Sequence, residues 1–461
     1  MSRRITIDPI TRLEGHGKIH IFYRPQGEVD KTFLQVPDFK GFEKFCEGRP
    51  AEEMPTLTQK ICGVCPTAHH TTSSKALDEL FGVDPPPAAK KIRELMYNAF
   101  IFEDHLLHFF FMGGPDFIAG MSGPSAGRNI FGLVDHLGPD LGKKALAMRK
   151  RVREINGLLS GSPLYPVCGL PGGISKCLTG EAQTKIRDSA RDAVDFSKVV
   201  LKVFHEGVLS DKMYQALLQD EDMAHKTYYM GLVDEKDRVN FYDGEIRVVD
   251  PDGKEYVRFG PKDYEAHLEE RVEPGTYMKP LYLKNIGWSG FVDGRESGIY
   301  RVGPLARLNV SERMATPLAQ SEYERMFESL GGKPAHQTMA YHWARLIEVL
   351  YAAERMEALS CDEELLDPKV RSLPEGCLKH GVGVCEAPRG TLFHHYTADA
   401  DGIIEKVNLL VATQNNAAAI SMSVDRAARA YANGRSVSET DLNIVEAAFR
   451  AYDPCLACAT H

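Results

Sequence analysis

Ile61-Cys62-Gly63-Val64-Cys65-Pro66-Thr67-Ala68-His69 carries one closely spaced pair of thiols, and Asp453-Pro454-Cys455-Leu456-Ala457-Cys458-Ala459-Thr460-His461 carries a second pair at the other end of the chain. A tight turn after the first Cys lets the second point the same way, so each pair can grip one metal ion, and Gly63 supplies such a turn. Four thiolates on one metal require the two chain ends to meet. No repeat, low-complexity tract or Ser/Gly linker divides the 461 residues, so a single domain spanning 1–461 is the simplest architecture.

A structural zinc site is the commonest use of paired Cys-x-x-Cys in intracellular proteins, but its pairs ordinarily lie about 12–20 residues apart and staple a small loop. Here the pairs are far apart, and each is followed by a histidine, His69 and His461. A nearby His can orient a ligand, relay a proton or bind a second metal. Asp453-Pro454 also fixes a carboxylate and a rigid turn beside Cys455, for which a purely structural site has no use.

Composition narrows the class. With 43% hydrophobic residues the chain can bury a large core. The net charge of -9, with Lys and Arg scattered, gives no nucleic-acid footprint. No apolar run reaches membrane-spanning length, and Met1-Ser2-Arg3-Arg4-Ile5 lacks the apolar stretch of a signal peptide, so a cytoplasmic chain with no membrane span is expected. Ten cysteines in so long a chain fit a reducing compartment. Cys46, Cys168, Cys177, Cys361, Cys377 and Cys385 read as core packing.

The pattern predicts a mainly α protein of the α+β class: a large helical bundle with N-terminal strands and a β-rich insertion. Ile5 to Tyr23 alternates as one or two strands. A helical stripe follows Pro85-Pro86-Pro87 and ends at Gly113-Gly114-Pro115; others run over about 143–159, 181–218, 338–359 and 415–431. Between about 239 and 301 β-branched and aromatic residues take over, with a hairpin-like Asp250-Pro251-Asp252-Gly253. Ser438 and Asp441 open the last helix with a capping box, and Asp453-Pro454 stops it.

Seven segments in order resemble the large, catalytic subunit of nickel-iron hydrogenases: Asp8-Pro9-Ile10-Thr11-Arg12-Leu13-Glu14-Gly15-His16; Gly41-Phe42-Glu43-Lys44-Phe45 with Gly48-Arg49-Pro50; the Cys62 segment; Asp104-His105; Glu386-Ala387-Pro388-Arg389-Gly390; Thr413-Gln414-Asn415-Asn416; and the Cys455 segment. The resemblance runs nearly end to end. It implies a nickel-iron centre that splits dihydrogen reversibly, with all four thiolates on nickel, Cys65 and Cys458 bridging to an iron that carries cyanide and carbon monoxide, and Cys455 accepting a proton.

The same resemblance assigns Glu14 as proton relay, against its reading as a solvated strand residue. It places Arg389 over the open metal position, held by Asp104 and Asp453, with Pro388, Ala412 and Thr413 facing the diatomic ligands. Ala412 has no hydroxyl to donate, so a backbone amide would replace it. His69 becomes a hydrogen-bond partner of a bridging cysteine, and His70 ordinary packing or surface. Glu43, His461 and a backbone carbonyl near Asn408 would hold Mg2+. Ending at His461, the chain has the form left after a C-terminal extension is removed.

No further grouped cysteines exist to hold iron-sulfur clusters, so a separate iron-sulfur small subunit must carry them. The resemblance leans to the cytoplasmic multi-subunit group linked to heterodisulfide reductase, with ferredoxin and flavin subunits. Deazaflavin- or NAD(P)-reducing relatives are the alternatives. Rivals of another class are a four-cysteine zinc scaffold and the cysteine-less, quinone-binding relative in respiratory complex I, against which the intact cysteines argue.

Overall fold

The computed structural model describes residues 3–434 and 436–461. Its N-terminal sheet is an antiparallel meander of β1 (Arg4–Ile7), β2 (Lys18–Tyr23) and β3 (Val29–Gln35). The expected strands over Ile5–Tyr23 are therefore two, and a third follows them. Between β1 and β2 the chain leaves the sheet over Asp8–Gly17, and this excursion carries Glu14.

Helix α1 (Pro66–Leu80) starts directly after Cys65, with Pro66 at the first helical position, where a missing N–H costs nothing. The second thiol of the pair thus sits at a helix start. Helices α2 (Pro87–Leu107), α3 (Pro139–Ser160) and α4 (Gly180–Val203) supply the bundle. The expected stop at Gly113-Gly114-Pro115 does not occur. A π-helical turn over His108–Gly113 continues α2 into a further turn, Gly114–Ile118, whose first residues tolerate Pro115. The single helix expected over 181–218 is instead broken after a π turn at Phe204–Val208, because Asp211 caps a new helix, Lys212–Gln219, by accepting the N–H of Tyr214.

The β-rich insertion begins earlier than about 239, with β4 (Tyr228–Val233), followed by β5 (Glu245–Val249), β6 (Glu255–Phe259) and β7 (Tyr300–Arg301) in the sheet order β7-β4-β5-β6. Every residue of β4 is buried, so it lacks the alternation that marks a half-exposed strand. The hairpin turn at Asp250–Gly253 is present, closed by the Asp250 N–H donating to Lys254 O at 2.8 Å.

Helix α5 (Pro304–Val310) leads to α6 (Ala340–Ser360), the bundle's central helix, buried along most of its length. A sheet that the sequence pattern does not mark follows: the antiparallel meander β8 (His380–Ala387), β9 (Gly390–Ala398) and β10 (Ile404–Leu410). Helix α1 lies against β8 so closely that a Cβ at Gly383 would stand 2.2 Å from Thr72 O, and one at Gly381 2.3 Å from Ala76 O. Glycine is required at both. Helices α7 (Ala417–Tyr431) and α8 (Glu439–Ala451) complete the bundle, and the Ser438–Asp441 capping box is formed as expected. Among the described residues no helix is long and apolar enough to cross a membrane.

Candidate metal centre

The two chain ends meet. The four sulfur atoms of Cys62, Cys65, Cys455 and Cys458 lie within 4.8 Å of one another, with Cys62–Cys455 and Cys65–Cys458 each at 3.3 Å. Thiolates sharing one tetrahedral metal at about 2.3 Å would sit roughly 3.7 Å apart. All four are at most 4% exposed. The N–H groups of Val64 and Cys65 donate to Cys62 Sγ at 3.2 and 3.3 Å, which stabilises a thiolate there. Among the described residues no other group of three or more His, Cys, Asp and Glu side chains is arranged to hold a metal.

Glu14 is stitched to the second pair. Its carbonyl accepts the N–H of Leu456 at 2.9 Å, its Oε2 accepts the N–H of Ala457 at 3.0 Å, and the same Oε2 lies 3.0 Å from Cys455 Sγ. A Cβ on Gly15, at φ 87°, would stand 2.8 Å from Ala457 N, so only glycine lets the two segments approach this closely. Burial raises the Glu14 pKa, and the charge of Cys62 adds to it. A carboxyl biased toward holding a proton is thus in contact with the Cys455 sulfur.

Arg389 sits at the turn between β8 and β9. Its Nε donates to Asp453 O at 2.8 Å, Nη2 to Asp453 Oδ1 at 3.1 Å and Nη1 to Asp104 Oδ2 at 3.1 Å. Asp453 adopts φ 53°, a left-handed conformation that aims both its carbonyl and its carboxylate at the guanidinium. Burial alone would lower the Arg389 pKa, but the two carboxylates outweigh it and hold the group charged. Burial likewise pushes Asp104 up, to about 7, against the pull of Arg389. The guanidinium is the firmer charge of the three, because two carboxylates serve it and it serves both.

Beside Cys65, Cys455 and Cys458 lies a small cavity of about 10 Å³, walled by Leu392, Val411, Ala412 and Thr413 as well as His69 and Arg389. Thr413 Oγ1 accepts the N–H of Cys455 at 3.0 Å, which leaves its own proton free to donate. Ala412 offers the cavity a methyl group. Pro388 is not part of its wall; its carbonyl accepts from Arg307 at 3.1 Å.

His69 lines this cavity, and its Nδ1 is 3.1 Å from Nε2 of His394, a partner the sequence did not announce. His70 is buried packing: its Nδ1–H donates to Pro55 O at 3.1 Å and its Nε2 accepts from Gly169 N–H at 2.9 Å. Glu43 Oε1 lies 3.5 Å from His461 Nε2 and accepts the N–H of Leu409 at 2.8 Å. Burial opposes the Glu43 charge, yet His461 and that N–H hold its pKa below the usual range. The Asn408 side chain turns away to donate to Tyr264 Oη at 2.7 Å, so any part for Asn408 falls to its main chain.

Sequence reasoning missed the support beneath Arg389. Arg307 pairs with both oxygens of Glu348 at 2.6 Å and with Glu386 at 2.8 Å, and it donates to the carbonyls of Ala387 at 2.9 Å and Pro388 at 3.1 Å. All three charged side chains are wholly buried. Arg345 donates to Ala451 O at 2.9 Å, tying α6 to the end of α8. The available signal was a charged residue inside an apolar run, Pro304-Leu305-Ala306-Arg307-Leu308, which demands a buried partner.

Soft, electron-rich sulfur suits nickel, and four such sulfurs converge beside the small cavity that Cys65, Cys455 and Cys458 line. Fold and donor set together define a nickel-dependent hydrogenase large subunit. The chain belongs to that family: the family model "Nickel-dependent hydrogenase" matches residues 40–132 and 295–461, and a HoxL-like model matches 4–39. It is 43% identical to the iron-sulfur subunit of an F420-non-reducing hydrogenase from Archaeoglobus profundus, over 100% of this chain and 94% of that one. The corresponding F420-non-reducing hydrogenase subunit of Methanothermobacter thermautotrophicus is 39% identical over 99% and 94% of the two chains. Among solved structures, an NAD+-reducing [NiFe]-hydrogenase in the H2-reduced state superposes with a TM-score of 0.93 at 37% identity, covering 100% and 99%. The protein is therefore the large subunit of a nickel-iron hydrogenase, an oxidoreductase acting on dihydrogen.

Proposed function

We propose that the four thiolates hold the nickel of a nickel-iron centre, with Cys65 and Cys458 bridging to an iron that bears cyanide and carbon monoxide in the adjoining cavity. The observation that carries this is the convergence of four buried sulfurs beside a small cavity lined by Cys65, Cys455, Cys458 and Arg389. When bound, the centre supplies the redox chemistry that divides dihydrogen into protons and electrons. Cys455 takes the proton on its sulfur, and Glu14 Oε2, 3.0 Å away, receives it. Arg389, immobilised by Asp104 and Asp453, holds positive charge over the reacting position. Pro388 fixes the turn that presents Arg389. Ala412 and Thr413 face the diatomic ligands, the latter through its free O–H. Glu43, His461 and a main-chain carbonyl near Asn408 hold Mg2+, supported by the approach of Glu43 to His461.

Electrons pass first to an iron-sulfur small subunit, then to a heterodisulfide reductase, in a cytoplasmic complex. The support is the run of relatives named as F420-non-reducing hydrogenase subunits, from Methanothermobacter and Methanocaldococcus among others. A second reading, NAD+ as acceptor, has the 37% identical NAD+-reducing structure in its favour.

The test is metal analysis with infrared spectroscopy of the purified complex. Nickel and iron with cyanide and carbon monoxide stretching bands are expected; zinc alone would overturn the assignment. Dihydrogen-dependent reduction of a heterodisulfide in preference to NAD+ separates the two acceptors.

A further inference from the structure

Asp116 stands in the run Gly113-Gly114-Pro115-Asp116-Phe117-Ile118, on the turn that prolongs α2, and its side chain is 1% exposed. A carboxylate so placed needs cations. Two arginines from opposite ends of the chain supply them. Arg12 Nη2 pairs with Asp116 Oδ1, while Arg450 Nη1 lies 3.3 and 3.1 Å from the two carboxylate oxygens. Arg450 also reaches Asn443 Oδ1 at 3.4 Å and Glu446 Oε2 at 2.9 Å. For Arg12, Asp116 is the only paired carboxylate among the described residues.

The same residues tie main chain to main chain. Arg450 Nε donates to Thr11 O at 2.9 Å and its Nη2 to Thr11 Oγ1 at 3.2 Å. Arg12 Nη1 donates to Met112 O at 2.6 Å, and His108 donates its Nε2–H to Arg450 O at 2.9 Å. Both His108 and Met112 belong to the π turn over His108–Gly113, and π turns recur at functional sites. Arg12 itself holds φ 59°, a left-handed conformation that persists only where the surroundings over-determine it.

The excursion Asp8–Gly17 is thereby fastened to the C-terminal segment at two places. Thr11 and Arg12 are held to Arg450, directly and through Asp116, while Glu14 is held to Leu456 and Ala457. Asp116→Asn would undo the first, because an amide leaves two like-charged guanidiniums facing each other without the anion they share. The excursion would then strain against the Leu456 and Ala457 bonds alone, and it is these that seat Glu14 Oε2 3.0 Å from Cys455 Sγ.

We propose that Asp116 is a positioning residue for proton transfer: it clamps Arg12 to Arg450 and so keeps the Glu14 carboxylate in contact with Cys455. This rests on the reading of Glu14 as proton acceptor given above. Asp116 touches neither the sulfur nor Glu14, and it acts through the two arginines.

The test uses the purified complex carrying Asp116→Asn or, separately, Arg12→Leu, which leaves the Asp116–Arg450 pair in place. Nickel and iron are quantified, main-chain amide exchange is followed by mass spectrometry, and turnover is measured in H2O and in D2O. Both variants should keep the metals and exchange the Leu456 and Ala457 N–H groups faster while the bundle helices stay protected. Turnover should fall about 10–10²-fold, with a larger solvent isotope effect because the proton step becomes limiting. Parent amide protection or a parent isotope effect in fully loaded Arg12→Leu would overturn the proposal, even where Asp116→Asn fails to assemble. Loss of the metals from both variants would overturn it too, by making the cluster an assembly device. An isotope effect and turnover unmoved in Glu14→Gln would instead overturn the reading of Glu14 on which it rests.

Discussion

Glu14 and Cys455 face each other across a parallel β-bridge that joins the first and last segments of the chain, with the carboxylate Oε2 3.0 Å from Cys455 Sγ. The bridge ties the proposed proton acceptor to the proposed nickel ligand. Glu14 cannot move without dragging Leu456 and Ala457, whose N–H groups it binds through its carbonyl and its carboxylate.

Glu14→Gln should therefore retain the metals, because the amide oxygen still accepts from Ala457. It cannot take up and release a proton. Turnover and hydrogen-deuterium exchange with water should fall by about 10²–10⁴-fold. Exchange at the parent rate in a fully loaded variant would remove Glu14 from the proton route.

Arg389→Lys keeps a positive charge but not the planar fork that reaches Asp104 on one side and Asp453 on the other. Turnover should drop by about 10²–10³-fold with nickel content unchanged. Equal losses of metal and activity would show that Arg389 serves assembly instead.

How much of this could be read from the chain follows from the physics of each element. The helices over about 143–159, 338–359 and 415–431, the Ser438 cap and the thiol pairs carry local signals and fall where expected, whereas the stop at Gly113-Gly114-Pro115 and the unbroken helix over 181–218 do not hold. The sheet β8–β10 carries no local signal: β9 is buried through most of its length, so the two-residue period that betrays a strand is hidden. That sheet positions Arg389 and His394. The trio Arg389, Asp104 and Asp453 came from resemblance, and the structure brings them together. Arg307 and Glu348 reach the candidate site only through other residues, and no local pattern marks a residue whose partners are distant in sequence.

Arg307→Met removes the one cation shared by Glu348 and Glu386 and frees the carbonyls of Ala387 and Pro388. Two buried carboxylates would lose their counter-cation, keeping only hydrogen bonds from His105, Leu232 and Thr391, at a cost of about 3–5 kcal/mol. Denaturant unfolding of the purified complex should show this loss. Activity should fall as well, since the turn that carries Arg389 loses its anchor; parent stability would mean that the network contributes nothing net.

His70 gives the fold an acid limit. Its Nε2 accepts the Gly169 N–H and its Nδ1–H already donates to Pro55 O, so an added proton would oppose one N–H to another. Burial lowers its pKa from 6.5 to about 4. The unfolded chain thus binds this proton more readily than the folded one between those values. Stability from this site is fully present above about pH 6.5 and is lost as pH falls toward 4, by about 3 kcal/mol. Unfolding free energies measured across that range should decline with acid, and His70→Gln should flatten the decline while lowering stability at neutral pH. An unchanged pH slope in that variant would place the acid sensitivity at other buried histidines.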